Sequence, residues 1–207
     1  MSGVLLTGFE PFADDPVNPS GDAVRLAAEL WDGPETLVTA VLPVTFADAG
    51  VRLRALIAEH DPDVVLATGL ASGRSTVSIE RVAVNLIDAS IPDNAGAQPV
   101  DAPCVPGGPP AWFATVPVKA IARAVAAAGI PSSLSLSAGT YVCNHVFSNA
   151  VDAGRRAGFI HVPWGTGQAP HDEPELPVAD LARAFVIAAR TALDVHDDEA
   201  TPGGAVH

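Results

Sequence analysis

The chain is poor in cysteine, methionine, tyrosine and basic residues: its 207 residues include two cysteines, one methionine and one tyrosine, and 11 Lys and Arg stand against 24 Asp and Glu. Two cysteines, Cys104 and Cys143, cannot build a secreted disulfide framework and fit a reducing compartment, with a Cys104–Cys143 bridge the less favoured alternative. The net charge of −13 disfavours nucleic acid as a partner, because gripping a phosphate backbone needs clustered Lys and Arg. Long apolar runs are also missing. The Ala-rich stretch Ala120–Ile130 is interrupted by Arg123 and is too short to cross a bilayer. Met1 to Gly8 has neither the basic segment nor the apolar length of a signal peptide. A soluble, cytoplasmic protein with no membrane partner is expected. No Ser-rich or charged linker divides the chain and no internal repeat is visible, so a single domain over 1–207 is expected, with a flexible tail from about residue 195.

What is present is a core-forming composition, 48% hydrophobic, in which short apolar runs alternate with helical patterns. That alternation predicts an α/β sheet covered by helices. Strands are predicted at Gly3–Thr7, Thr36–Leu42, Asp63–Thr68, Val77–Leu86, Ser132–Leu136 and Phe159–Pro163. A first helix begins after Asn18-Pro19-Ser20, with Ser20 as its N-cap, and a second, capped by Thr45 and Asp48, stops near His60. Further helices are expected over Pro117–Ala128, Thr140–Arg156 and Val178–Leu193. The Pro-, Gly- and Asp-rich stretch that follows Leu86 and runs to Pro110 is long enough to suggest a functional loop or an oligomer contact.

The chemistry concentrates at Ser137-Ala138-Gly139-Thr140-Tyr141-Val142-Cys143-Asn144-His145, which passes from a strand end through small residues into a helix. A cysteine near a helix N-terminus feels a partial positive charge that favours the nucleophilic thiolate. Taken alone, a cysteine between Val142 and Val146 is more often a buried packing residue. His161 shifts the balance. It lies inside the apolar strand Phe159-Ile160-His161-Val162-Pro163, and the strand after the Cys143 helix should end at the same crevice as that helix begins. His145 competes as base, but two residues beyond Cys143 on one helix it points away.

A Cys–His pair needs a third group to orient the imidazole. Glu80 is the candidate, because a carboxylate inside Ser78-Ile79-Glu80-Arg81-Val82 must have its burial compensated, and Arg81 faces the opposite side. Asp88 and Asp93 are weaker alternatives. No metal or cofactor is implied. His171-Asp172-Glu173 reads as a solvated loop, and Gly107-Gly108 reads as turn chemistry, since no Walker lysine, GxGxxG, HExxH or paired CxxC accompanies them.

At these residues the sequence resembles the pyroglutamyl peptidase I family of cysteine peptidases. The marks are Leu5-Leu6-Thr7-Gly8-Phe9-Glu10-Pro11-Phe12 with Asn18-Pro19-Ser20, Glu80-Arg81-Val82-Ala83-Val84-Asn85, Ile91-Pro92-Asp93-Asn94-Ala95-Gly96, Gly139 through His145, and Gly158 through Pro163. The resemblance implies an α/β/α sandwich around a twisted, mostly parallel sheet. It also implies an exopeptidase that removes an N-terminal pyroglutamyl residue from peptides, with a Cys–His–Glu triad falling on Cys143, His161 and Glu80. Phe9 and Phe12 would hold the lactam ring, with Leu70, Ile91 and Val142 completing the pocket. Their bland alternative is core packing after the first strand. Homo-oligomers, tetramers or dimers, are a further implication.

The sequence departs from the family pattern at three places. Leu70 stands where a Gln is usual in Gly69-Leu70-Ala71-Ser72-Gly73-Arg74, Ser90 replaces an Arg before Ile91, and Trp164-Gly165-Thr166 follows Pro163 where Tyr and Pro-Glu-Gln are usual. Leu70 and Ser90 therefore leave two alternatives beside pyroglutamyl hydrolysis. One is a thiol amidase or aminopeptidase of shifted N-terminal specificity; the other is a catalytically silent binding module of the same fold.

Overall fold

In Gly3–Phe9, which forms β1, Val4 and Leu6 face one way and Leu5 and Phe9 the other, and all four are buried. A strand apolar on both faces belongs in the interior of a sheet covered on both sides. The computed structural model describes residues 3–170 and 172–204 and puts β1 in that position. The remaining strands of the sheet are β2 (Thr36–Leu42), β3 (Val64–Leu70), β4 (Val77–Glu80), β7 (Ser132–Ser135) and β8 (Arg156–Val162), in the order β2-β1-β3-β8-β4-β7. β2, β1, β3 and β8 run parallel, whereas β4 is antiparallel to β8 and parallel to β7.

Helices α1 (Pro19–Leu30), α3 (Val118–Ala127) and α5 (Val178–Asp194) pack on the face that carries Val4, Leu6, Leu66, Ile79 and Ile160. Helices α2 (Ala49–His60) and α4 (Val142–Asp152) cover the opposite face, against Leu5, Phe9, Val65, Ala67 and Phe159. The result is a three-layer α/β/α sandwich on a mostly parallel sheet. Two small pairs complete it: β5 (Val82–Val84) with β6 (Ala111–Phe113), and β9 (Trp164–Gly165) with β10 (Glu175–Leu176).

The differences from the sequence expectation have local causes. Asn18, not Ser20, caps α1: its Oδ1 accepts from Ser20 N at 3.1 Å. The Ser20 hydroxyl is thereby free to accept from Phe9 N at 3.1 Å, tying the end of β1 to the start of α1. Val77–Leu86 is two strands, because Arg81 N still bonds Ser135 O in the main sheet at 2.8 Å while Val84 N is taken by the Asn144 side chain at 3.1 Å. Helix α4 is shorter than Thr140–Arg156. It ends ahead of Gly154, whose φ of 74° continues no right-handed helix, and Arg156 already belongs to β8. The segment from residue 195 to 204, expected to be a free tail, runs back over α3. Asp198 accepts from Lys119 N and Ala120 N at 3.1 Å, and Glu199 pairs with Arg123.

Candidate active site

Gly69 on β3 lies beside His161 on β8 in the parallel ladder, and neighbours in register carry their side chains on one face. That face is the one covered by α4. Gly69 has no side chain to offer, and a Cβ built there would stand 2.8 Å from Cys143 Sγ, 3.1 Å from Phe159 Cζ and 3.4 Å from Phe9 Cε2. The missing side chain is thus the space into which the thiol is directed. Cys143 occupies the first turn of α4, whose N-cap residue Tyr141 makes no side-chain capping bond, so the helix's first amides are not taken up by a cap.

His161 is buried, and its Nδ1 lies 2.7 Å from Glu80 Oε1. With the Nδ1 proton held by the carboxylate, Nε2 is left as the basic nitrogen. The strand geometry makes this contact. Ser78 is the residue opposite His161 in the antiparallel β4–β8 pair, and Glu80, two residues on, projects from the same face. Glu80 is fully buried, and the same Oε1 receives Arg74 Nη1 at 2.8 Å; Arg74 in turn donates to Ser137 O at 3.0 Å. The compensation that a buried carboxylate requires thus comes from Arg74 in the β3–β4 turn as well as from His161.

Burial favours the neutral form of both Cys143 and His161. Burial pushes the Cys143 thiol up from 9.0 to about 12, reinforced by the Glu80 charge and only partly opposed by Arg74 and the residue's own backbone amide. Burial likewise lowers His161 below its ordinary 6.5, against the pull of Glu80. Desolvation thus acts on the thiol against the partial charge at the helix end, which favours the thiolate. The chemistry available is a concerted one, in which the thiol proton moves to His161 as sulfur attacks a carbonyl.

The thiol opens into a cavity of about 380 Å³. All five residues expected to bind substrate, Phe9, Phe12, Leu70, Ile91 and Val142, line it together with Cys143. Ser90, the other departure, is exposed and is not part of the lining. The cavity also exists because two strands part. β1 stays paired with β2 as far as Phe9↔Leu42, but its pairing with β3 stops at Thr7↔Ala67, where the Thr68 hydroxyl donates to Thr7 O at 2.9 Å. Backbone groups alternate sides along a strand; Ala71 N bonds Val162 O on the β8 side at 2.9 Å, so the N–H and C=O of Leu70 turn toward the opening beside β1.

The residues weighed against Glu80 and His161 lie elsewhere. Asp93 is buried, but its carboxylate accepts from Phe46 N at 2.7 Å, Ala97 N at 2.8 Å and Ala95 N at 2.9 Å. Asp88 is exposed. His145 packs toward α2, where a Cβ on Gly50 would meet its Nε2 at 2.9 Å. Glu173 corrects the reading of a solvated loop: it lines the cavity, bonds Ser72 and accepts from Gly73 N at 2.9 Å and Trp164 Nε1 at 3.2 Å. Its neighbour His171 lies outside the described residues. Sequence reasoning also missed Arg74 and Asn144, both held by contacts distant in the chain. Asn144 is fully buried and fixes the first turn of α4 to the β5 segment, with Oδ1 accepting from Val84 N at 3.1 Å and Nδ2 donating to Val84 O at 2.8 Å.

Comparison with known proteins adds an independent line. The family model described as pyroglutamyl peptidase matches residues 2–195. The pyrrolidone-carboxylate peptidase of Clavibacter michiganensis is 48% identical over 199 residues, covering 93% of each chain, and that of Klebsiella pneumoniae is 45% identical over the full length of both. Among solved structures, pyroglutamyl peptidase I from Bacillus amyloliquefaciens superposes with a TM-score of 0.93 at 40% identity, covering 98% of this chain and all of that one. The pyrrolidone carboxyl peptidase of Thermococcus litoralis gives 0.90 at 36% identity, again covering 98% of this chain and all of that one.

Proposed function

The chain belongs to the pyroglutamyl peptidase family, and from that premise we propose that it hydrolyses the amide bond after an N-terminal pyroglutamyl residue, with Cys143 as nucleophile, His161 as base and acid, and Glu80 orienting His161. It is a cysteine exopeptidase of the pyroglutamyl peptidase I type. The observation that carries the residue assignment is the convergence at Gly69, where the Cys143 sulfur and the His161–Glu80 pair share one face of the sheet beside one apolar cavity.

The substrate is a five-membered lactam whose N–H and C=O sit side by side on one edge. An apolar slot flanked by Phe9 and Phe12 suits the ring, and the adjacent N–H and C=O of Leu70 suit its amide edge. Because these are backbone groups, the leucine in place of a glutamine does not remove them. The scissile carbonyl then lies over Cys143, where the uncapped first turn of α4 supplies N–H donors to the developing oxyanion. His161 takes the thiol proton as the C–S bond forms and returns it to the departing amine. In the second half it activates the water that hydrolyses the thioester.

Two further parts of the reading have support of their own. Among the described residues no helix is long and apolar enough to cross a membrane, and both cysteines are free, which fits a cytoplasmic setting. Val100 and Phe113 are 63% and 69% exposed on the long 85–113 segment and its flank, which suits a dimer or tetramer. The deciding experiment is release of a fluorophore from a pyroglutamyl amide by the reduced enzyme. Turnover abolished by Cys143→Ala is expected, and a folded wild type that cleaves another N-terminal amide better would favour the shifted-specificity reading instead.

A further inference from the structure

Phe12 stands on the turn between β1 and α1, which is closed from within by Asp15 N donating to Phe12 O at 3.1 Å and Asn18 Nδ2 donating to Glu10 O at 2.9 Å. Its backbone is gripped from outside. The Asn94 side chain donates from Nδ2 to Pro11 O at 3.0 Å and accepts at Oδ1 from Ala13 N at 3.1 Å, so that one amide engages the chain immediately before and immediately after Phe12. Ala13 is held at φ 52°, a left-handed conformation that a non-glycine residue adopts only when its surroundings impose it.

The gripping side chain is itself on a fixed base. Its neighbour Asp93 gathers three backbone amides, including Phe46 N at 2.7 Å, and Asn94 N donates to Val44 O at 3.0 Å. The same 90–97 turn carries Ile91 on the cavity wall. A second tie closes the circuit: the Tyr141 hydroxyl donates to Pro92 O at 2.9 Å, and the Phe12 ring packs edge-on against the Tyr141 ring with centroids 5.6 Å apart. Asn94 and Tyr141 therefore tie the Phe12 turn to the turn that carries Ile91, and of the two only Asn94 grips the Phe12 backbone on both sides.

We propose that Asn94 is a specificity-determining positioning residue: it fixes Phe12 against Ile91 and so sets the width of the slot that admits a small lactam ring, without touching the thiol or its base. The inference rests on the pyroglutamyl reading for the identity of the ring. Asn94 is exposed, so its replacement removes the grip with little threat to the core.

The test compares wild type, Asn94→Ala, Phe12→Ala and the double variant on a pyroglutamyl amide, and measures how well 2-pyrrolidone protects Cys143 from iodoacetamide in each. Asn94→Ala is expected to raise KM about tenfold, as the loss of one net hydrogen bond's ordering would, with kcat within about twofold. Protection by 2-pyrrolidone should weaken in parallel, while the unprotected alkylation rate stays unchanged. Added to Phe12→Ala, the substitution should do nothing further to KM, since the ring it positions is gone; the remaining side-chain bond of Asn94, from Nδ2 to Glu10 Oε1 at 3.2 Å, reaches no part of the slot named here. Asn94→Asp keeps the acceptor for Ala13 but loses the donor to Pro11, and should also raise KM. A fall in kcat at unchanged KM, an unchanged KM, or an effect that multiplies in the Phe12→Ala background overturns the proposal. Should the wild type fail to cleave the pyroglutamyl amide while 2-pyrrolidone still protects Cys143 in an Asn94-dependent way, the peptidase reading falls and this one stands. Absence of protection in the wild type removes it.

Discussion

Gly69 and Cys143 compete for one volume: a Cβ on the glycine would come within 2.8 Å of the cysteine sulfur, closer than real carbons approach. Gly69→Ala therefore displaces the thiol, because Phe159 and Phe9 crowd the same point from the other sides at 3.1 and 3.4 Å. A misplacement of this order costs about a hundredfold in turnover. The expected outcome is a folded protein, by circular dichroism, whose kcat on a pyroglutamyl amide falls by about that factor. A Gly69→Ala variant of wild-type activity would mean that the thiol works from another rotamer.

The neutral resting state predicts a specific pH behaviour. With the Cys143 thiol raised to about 12, its alkylation by iodoacetamide should climb steadily from pH 7 to 10 with no plateau. Stability follows by linkage. A thiol raised from 9.0 to about 12 binds its proton more tightly when folded, so its contribution is whole below pH 9 and is lost as pH rises toward 12. His161, lowered from 6.5, resists protonation in the folded state; its contribution is whole above 6.5 and is lost as pH falls below that value. Chemical denaturation across pH should show a plateau between these limits, and Cys143→Ser should reduce the alkaline loss without abolishing it, because Cys104 and Tyr141 are raised as well. A plateau in alkylation near pH 7 would indicate a resting thiolate.

How much of this was legible in the sequence depends on the range of the contact. The sandwich, α5 and the placement of Cys143 and His161 at one crevice follow from periodicity and from the order of α4 and β8, which are local features. Glu80 was legible because an ionisable group in an apolar strand demands a partner, and alternation excluded Arg81. Arg74 was not legible as that partner, since its approach depends on how the β3–β4 turn folds over β4. The thiol's surroundings were half legible for a similar reason: the helix end is visible in sequence, whereas the burial that opposes it is a property of the packed structure. The split of Val77–Leu86 likewise turns on Asn144, sixty residues from Val84.

The C-terminal segment offers a test separate from the chemistry. Helix α3 begins at Val118 with no side-chain cap from Pro117, and Asp198 supplies the acceptor instead, at 3.1 Å from Lys119 N and Ala120 N. Loss of an N-terminal cap costs about 1 kcal/mol. For a chain of this length that corresponds to about 2–4 °C in Tm. Asp198→Ala should lower Tm by this amount in a thermal melt and leave kcat/KM unchanged. An unaltered Tm would mean that the tail is free in solution.

Arg74 and His161 converge on the same oxygen of Glu80, at 2.8 and 2.7 Å, and this shared acceptor separates stability from rate. Arg74 keeps 27% of its side chain in solvent, whereas Glu80 has none. Glu80→Gln therefore leaves behind a cation that water can still reach, and its folding cost should be modest. Its kinetic cost should be large, because the amide no longer fixes the Nδ1 proton of His161, and the loss of an orienting carboxylate lowers kcat by about 10⁴ in the best-studied Ser–His–Asp case. Arg74→Met does the reverse: it strands a fully buried carboxylate beside an imidazole that burial keeps neutral, at a cost of about 3–5 kcal/mol. The pair of variants should thus separate, Glu80→Gln near wild type in denaturant midpoint but almost inactive, Arg74→Met strongly destabilised yet retaining more activity per folded molecule. If instead Glu80→Gln were the less stable of the two, solvent access to Arg74 would not be what decides the energetics of this buried pair.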